Sequence, residues 1–263
     1  MAMLDRLHQY GEALEKRLRL RTYPLAVKML KKEDDIPEGT IRPKRDWGHL
    51  LLTCQAFSLS RRDGMQLALL KEDMWCSESV IGLGLAETPQ FFLEGRTRYP
   101  EDMKSLEAAS VWAHNFPRLE AGKYIGIATA PLMTTTFEPD LAVIYCVPEQ
   151  IKVLLSAVAW RDGREVKSTM SGKGACVFAV APLMQTGECQ VTIACGGDMS
   201  WALTSRDELI FSAPIGMMED LLAGLKGIEG QAANLLPRRY QMKHDIQLPE
   251  SYFTVGRMMG MDV

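Results

Sequence analysis

The chain of 263 residues is 47% hydrophobic and 24% charged, an ordinary globular composition with enough apolar material for a sizeable core. A formal net charge of -3, with basic residues scattered along the chain, speaks against a nucleic-acid or anionic-membrane surface as the main partner. The charged N-terminus lacks the apolar heart of a signal peptide, and no apolar run reaches the ~18 residues of a membrane span, so a cytoplasmic protein is expected.

Leu4, Leu7, Gly11, Leu14 and Leu18 recur at helical spacing among charges, which predicts an amphipathic helix over residues 4 to 19. TYPLAVKML follows and reads as a strand. From Lys32 to Arg45, Pro37, Gly39 and Pro43 stand among charges and predict a surface loop. Helices are expected over 48 to 60 and 76 to 86, separated by the turn Arg61-Arg62-Asp63-Gly64 and the apolar piece MQLALL. The glycines of GLGL, residues 82 to 85, loosen or end the second of these, and a further helix suits residues 101 to 113.

The second half echoes itself. GKYIGIATAPLMTTTFEPDLAVIYC, residues 122 to 146, resembles GKGACVFAVAPLMQTGECQVTIAC, residues 172 to 195, and each reads as a β-hairpin with Pro131 or Pro182 at a strand end. VIYCVPEQIKVLLSAV, from 143, and LIFSAPIGMMEDLLAGL, from 209, share the order strand, proline, amphipathic helix. An internal duplication is one reading of these echoes and common strand–helix grammar is the other. Together the elements predict an α+β fold: an antiparallel or mixed sheet built from hairpins, with helices covering one face. No linker divides the chain, so one domain is expected over 1–263, helix-rich to 120, repetitive over 121–225 and ending in a tail over 226–263. The tail from Arg239 holds Tyr240, Ile246, Leu248, Tyr252, Phe253, Val255 and several methionines, too apolar for a disordered end, and predicts a homo-oligomer in which it contributes to the contact.

Six cysteines stand at 54, 76, 146, 176, 189 and 195, too sparse for a disulfide scaffold and without a Cys-x-x-Cys pair. Any metal or iron–sulfur site would have to be assembled in space from separate segments. Cys146 and Cys176 sit within apolar runs, where a small buried residue is the simpler reading. Cys76 and Cys195 instead precede polar or glycine-rich sequence, where a thiol at the end of an element is as consistent with chemistry as with packing. Gly196, Gly197 and Asp198 after Cys195 can turn sharply and bring backbone N–H groups to a ligand, although a plain turn explains them nearly as well. The pair Asp207-Glu208 could contribute a carboxylate to a pocket, although a solvated turn is the simpler reading, and His8, His49, His114 and His244 read as surface or locally bonded residues. No G-x-S-x-G elbow, Walker loop or dinucleotide fingerprint occurs.

The ordered blocks YPLAVKML, CSESVIGLGL, VIYCVPEQIKVLL, GKGACVFAVAP and IACGGDMSWALTSRDELIFSAP resemble the DUF169 family, an uncharacterised group of prokaryotic proteins, from about Tyr23 to Leu225. The resemblance implies that Cys76, Cys176 and Cys195 occupy recurrent cysteine positions of the family. It also implies an arginine soon after the Cys-Gly-Gly segment, where this chain has Met199, which sets aside an arginine-dependent role carried over from relatives. The resulting expectation is a redox-active or metal-containing cofactor, a metal ion or iron–sulfur cluster among the choices. Cys76, Cys176, Cys195, Gly196, Gly197 and Asp198 would border it, with Cys76 and Cys195 as metal ligands. Trp47, Trp75, Trp112, Trp160 and Trp201 are candidates to line a pocket, and Trp75 and Trp201 stand beside these segments. The alternative is a non-enzymatic module that binds a small molecule or a protein, with structural cysteines.

Overall fold

The computed structural model describes residues 3–229 and 250–261. Six strands form one sheet, β1 (Leu25–Leu30), β2 (Leu67–Leu70), β3 (Gly126–Pro131), β4 (Leu141–Cys146), β5 (Gln190–Ile193) and β6 (Leu209–Pro214), in the order β2-β3-β1-β4-β6-β5. Every pairing is antiparallel, with Leu25 opposite Pro131 on one side and Val143 on the other, and Val143 opposite Ser212. The α+β class expected from the sequence is the one observed.

Helices cover both faces of this sheet rather than one. The strand sequences carry the reason: LALL, GIATAP and LAVIYC are buried at every position, so neither face is left polar for water. On one face α1 (Met3–Leu18), α6 (Pro148–Ala159) and α9 (Met218–Gly227) enclose a core with Ala26, Ile144, Cys146 and Phe211. The opposite face carries α2 (Thr53–Asp63), α3 (Ser77–Gly82), α4 (Gln90–Leu93), α5 (Leu106–Asn115) and α7 (Ala175–Thr186) around Val27, Val143, Tyr145 and Ile210. A short helix α8 (Gly196–Trp201) follows β5, and α10 (Glu250–Met258) lies near the C-terminus.

The opening helix buries the predicted stripe Leu7, Gly11, Leu14 and Leu18. At Gly11 a Cβ would stand 2.7 Å from the Met133 backbone nitrogen, so only glycine permits this approach. The strand–proline–helix echo is real: β4 leads through Pro148 into α6 and β6 leads through Pro214 towards α9. These strands pair and the two helices pack, with Gly224 so close to Ala157 that a Cβ would lie 2.2 Å from its carbonyl oxygen.

Neither predicted hairpin forms. In the first segment β3 and β4 exist, but both are antiparallel to β1 and flank it, so they run parallel to each other and cannot share a tight turn. In the second, ACVFAVAPLMQT is helix α7, not a strand, and Pro182 lies inside it. A continuous apolar run fits a buried helix as well as a buried strand. Here Gly174, in the left-handed conformation, opens a helix, and the Ser212 hydroxyl donates to the Ala179 carbonyl oxygen at 2.6 Å. Strands β4 and β5 still belong to one sheet, on either side of β6. Among the described residues, no helix is long and apolar enough to cross a membrane.

Candidate functional site

Strands β4 and β5 both pair antiparallel to β6, so they end at the same edge of the sheet, where β1 begins. Polar groups gather there on the α2–α7 face. Tyr145 alternates with Cys146 along β4 and points to the face opposite that thiol. Its hydroxyl donates to Asp198 Oδ1 at 3.2 Å. Asp198, in the first turn of α8, is fully buried. Its other oxygen accepts from the Cys195 thiol at 2.8 Å, with the Cys195 backbone N–H 3.4 Å away. Cys195 thus occupies the N-cap position of α8, and the Ala175 N–H at the start of α7 is directed at its sulfur.

Three more thiols approach from other helices. Cys76 caps α3, and its sulfur accepts from the Ser79 N–H at 3.4 Å. The Ser79 hydroxyl lies 3.2 Å from the sulfur of Cys176, in the first turn of α7. Cys54, in the first turn of α2, is buried and feels the charge of Asp198. Cys76 and Cys195 are half-buried, while Cys54 and Cys176 are enclosed.

Behind this cluster lies a buried ion pair. Arg61 and Glu208 have side-chain exposures of 0% and 1% and approach to 3.2 Å. The guanidinium also donates to the Thr22 and Thr204 hydroxyls and sits 4.0 Å from the centre of the Tyr145 ring. On the other flank Glu78, two residues beyond Cys76, pairs with Arg98, and Asp102 bridges Arg98 and Lys173 at 3.1 and 2.6 Å.

The electrostatics keep the thiols protonated. Burial pushes up Cys54, Cys76 and Cys176, and at Cys195 the neighbouring Asp198 charge adds to burial. Burial also lifts Asp198, against the opposing pull of the Cys195 thiol and N–H, the Tyr145 hydroxyl and Arg61. Cys195 and Asp198 therefore form a neutral thiol donating to a carboxyl group that takes a proton readily. If sulfur engages a soft centre, its proton has an acceptor 2.8 Å away.

The expected residues Cys76, Cys176, Cys195 and Asp198 meet here. Gly196 and Gly197 open α8 instead of forming a turn, and neither takes a positive φ. Among the described residues, no three His, Cys, Asp or Glu side chains are arranged to hold a metal ion. His8 bonds to the Thr135 carbonyl, His49 stacks on Trp47 and His114 bonds to the Ser110 carbonyl, while His244 lies outside the described residues. The predicted acidic turn divides: Asp207 is exposed and paired with Arg21, whereas Glu208 is the buried partner of Arg61. Sequence reading missed Arg61 and Tyr145, left Cys54 without a role, and favoured a solvated turn for Glu208 over a carboxylate in a pocket. A signal for Arg61 existed, since it lies one helical turn after buried Phe57 on the same face. A separate open cavity of about 670 Å3 lies between the 162–167 segment and the start of β5, where burial pushes the Cys189 thiol up to about 11.

Fold and site define a three-layer α+β protein with four thiols and a buried carboxyl group converging at one end of its sheet. The chain matches the DUF169 family, described as uncharacterised ArCR, over residues 13–224 and belongs to it. No curated protein and no solved structure matches the chain at a significant level.

Proposed function

We propose that this protein binds a redox-active or metal-containing cofactor at the thiol cluster, with Cys195 as the contacting ligand and Asp198 as the acceptor of its proton. The observation that carries the reading is the 2.8 Å contact between the Cys195 sulfur and Asp198 Oδ2. Were such a group bound, Cys195 would hold it through its sulfur and Asp198 would take up the thiol proton, leaving the protein's net charge at the buried site unchanged. Cys54, Cys76 and Cys176 supply a soft, polarizable lining around that contact.

A second reading, a non-enzymatic binding module with structural cysteines, is favoured by the burial that raises all four thiols. Anaerobic purification followed by metal analysis and a visible absorption spectrum separates the two. A stoichiometric metal or chromophore, lost in Cys195→Ser, is expected. A colourless, metal-free protein whose Cys195 accepts no thiophilic probe would leave the second reading standing.

A further inference from the structure

Helices α3 and α7 meet along a stripe of small side chains, and two of the site's thiols lie on it. Cys76, Ser79 and Gly82 follow one another at intervals of three residues and so share one side of α3. Cys176 and Val177 face them from α7. A Cβ at Gly82 would run into the Val177 side chain, so only glycine lets the two helices approach this closely. One turn away Ser79 touches both thiols: its N–H donates to the Cys76 sulfur at 3.4 Å, and its hydroxyl lies 3.2 Å from the Cys176 sulfur. The two sulfurs therefore share one hydrogen-bonding partner, and that partner is fully buried.

Access separates the two thiols. Cys76 is half-buried between the exposed residues Trp75 and Ser77, whereas Cys176 is only 4% exposed. A small reagent arriving from solvent meets Cys76 first and finds Cys176 behind it. The hydrogen bonds favour the same order, because the Ser79 N–H directed at the Cys76 sulfur supports a thiolate there. Cys195, the other half-buried thiol of the site, faces the Asp198 carboxyl group instead, and a negative neighbour opposes a thiolate. An accessible thiol with a second, enclosed thiol beside it is the arrangement in which the first is oxidised and the second resolves it.

We infer that Cys76 and Cys176 form a redox couple, closed to a disulfide by a peroxide and reopened by a dithiol. The couple stands apart from the function proposed above, since Cys195 takes no part in the bond. In the first step the Cys76 sulfur attacks one peroxide oxygen and the O–O bond breaks. Cys76 becomes a sulfenic acid, and its thiol proton leaves with the other oxygen as water. In the second step the Cys176 sulfur attacks the sulfenic sulfur, the S–O bond breaks and the S–S bond forms. The Cys176 proton leaves with the departing hydroxyl group as a second water. Two thiols and one peroxide thus give one disulfide and two waters, with two electrons passing from sulfur to oxygen. Bringing the sulfurs to about 2.05 Å requires the Ser79 hydroxyl to turn away from Cys176. The half-buried end at Cys76 keeps the bond within reach of a reducing dithiol.

The test uses the full-length reduced protein with hydrogen peroxide as the probe. Peptide mapping under non-reducing conditions should find Cys76 joined to Cys176 within one chain. Thiol titration of the unfolded chain should then count two fewer thiols than the six of the reduced protein, and dithiothreitol should restore them. Cys176→Ser should form no bond and carry Cys76 on to sulfenic and sulfinic acid. Cys76→Ser should slow the oxidation of Cys176 roughly tenfold, because the enclosed thiol has lost the one that reacts first. Cys195→Ser and Cys146→Ala should form the bond as the parent does. Circular dichroism confirms that each variant is folded, and the map of the parent protein decides the matter without any variant. Six thiols retained by the parent, a bond between another pair or between two chains, or a Cys76 sulfinic acid beside a free Cys176 would overturn the inference.

Discussion

The two faces of the sheet are built from the same strands and do different work. On the α1–α6–α9 face the contacts are apolar and very close, with Gly11 against Met133 and Gly224 against Ala157. On the other face the strands support Tyr145, Asp198, Arg61 and Glu208 under complete or nearly complete burial, together with three of the four converging thiols on the helices packed there. Cys146 and Tyr145 are neighbours in β4, yet the thiol lies in the apolar face and the phenol in the polar one. The difference teaches that neither the count nor the spacing of cysteines identifies the site. What distinguishes the site's thiols is the carboxyl group, serine and helix starts around them.

The largest effect should come from breaking the ion pair that only the polar face contains. Glu208→Ala strands the Arg61 guanidinium in the interior, which costs about 3–5 kcal/mol and lowers the melting temperature by about 10 °C. Replacing both partners by apolar residues, Arg61→Met with Glu208→Leu, should recover most of that loss. Thermal and urea unfolding check both, and a single-variant loss below about 1 kcal/mol would mean that the pair is solvated. A smaller loss, about 1–3 kcal/mol, is expected for Gly224→Ala on the apolar face, because the added methyl group must displace the Ala157 carbonyl. That variant should label at Cys195 at the parent rate, which separates packing from the site.

Much of the framework was legible in the sequence for physical reasons. The periodicity of Leu7, Gly11, Leu14 and Leu18, and the strand–proline–helix units ending in α6 and α9, carry their structure locally. The topology was not legible, because β1 enters between β3 and β4 through contacts distant in sequence. ACVFAVAPLMQT has no polar alternation to separate strand from helix. At the site, the two half-buried thiols were marked by the sequence that follows them. Arg61 was hidden in a stretch that resembles a charged surface turn, and Tyr145 in an apolar strand, since only tertiary contacts, Tyr145 with Asp198 and Arg61 with the Tyr145 ring, make them part of the cluster.

Titration should sharpen the contrast between faces in a window set by the direction of each shift. All six thiols are held above their ordinary value, so the unfolded chain releases these protons first and stability falls as pH rises past about 8.5. Each thiol contributes a slope of at most about 1.4 kcal/mol per pH unit, and Cys146→Ala should remove the share of one thiol from the apolar face. Raised Asp198 acts in acid: its contribution is most favourable below the ordinary carboxyl value near ~4 and is lost as pH rises through its own raised value. Asp198→Asn removes that dependence and shifts the alkylation profile of Cys195 to lower pH, because the negative neighbour is gone. Mass spectrometry of the parent should find Cys195 and Cys76 labelled before Cys146, and an unshifted Cys195 profile in Asp198→Asn would break the assigned coupling.

The smallest effect on intrinsic stability is expected at the C-terminal helix, which belongs to the comparison because it displays apolar surface outside the sheet. Tyr240, Ile246 and Leu248 of the predicted contact lie outside the described residues, whereas α10 exposes Tyr252, Val255, Met258 and Met259. An exposed apolar strip on a short amphipathic helix is suited to a second copy of the chain, for which closed dimers are the commonest arrangement. Val255→Ser combined with Met259→Ser should change unfolding at low protein concentration by less than about 0.5 kcal/mol, since both side chains stand in water in the single chain. Assembly through this strip should make the parent's melting temperature rise with protein concentration, and the double variant should lose that rise. Light scattering gives the direct measure, a mass above that of one chain for the parent and a lower mass for the double variant or for a chain ending at Leu236. A parent protein that remains monomeric at high micromolar concentration would remove the tail from any role in assembly, and its apolar strip would then have to serve contacts within one chain.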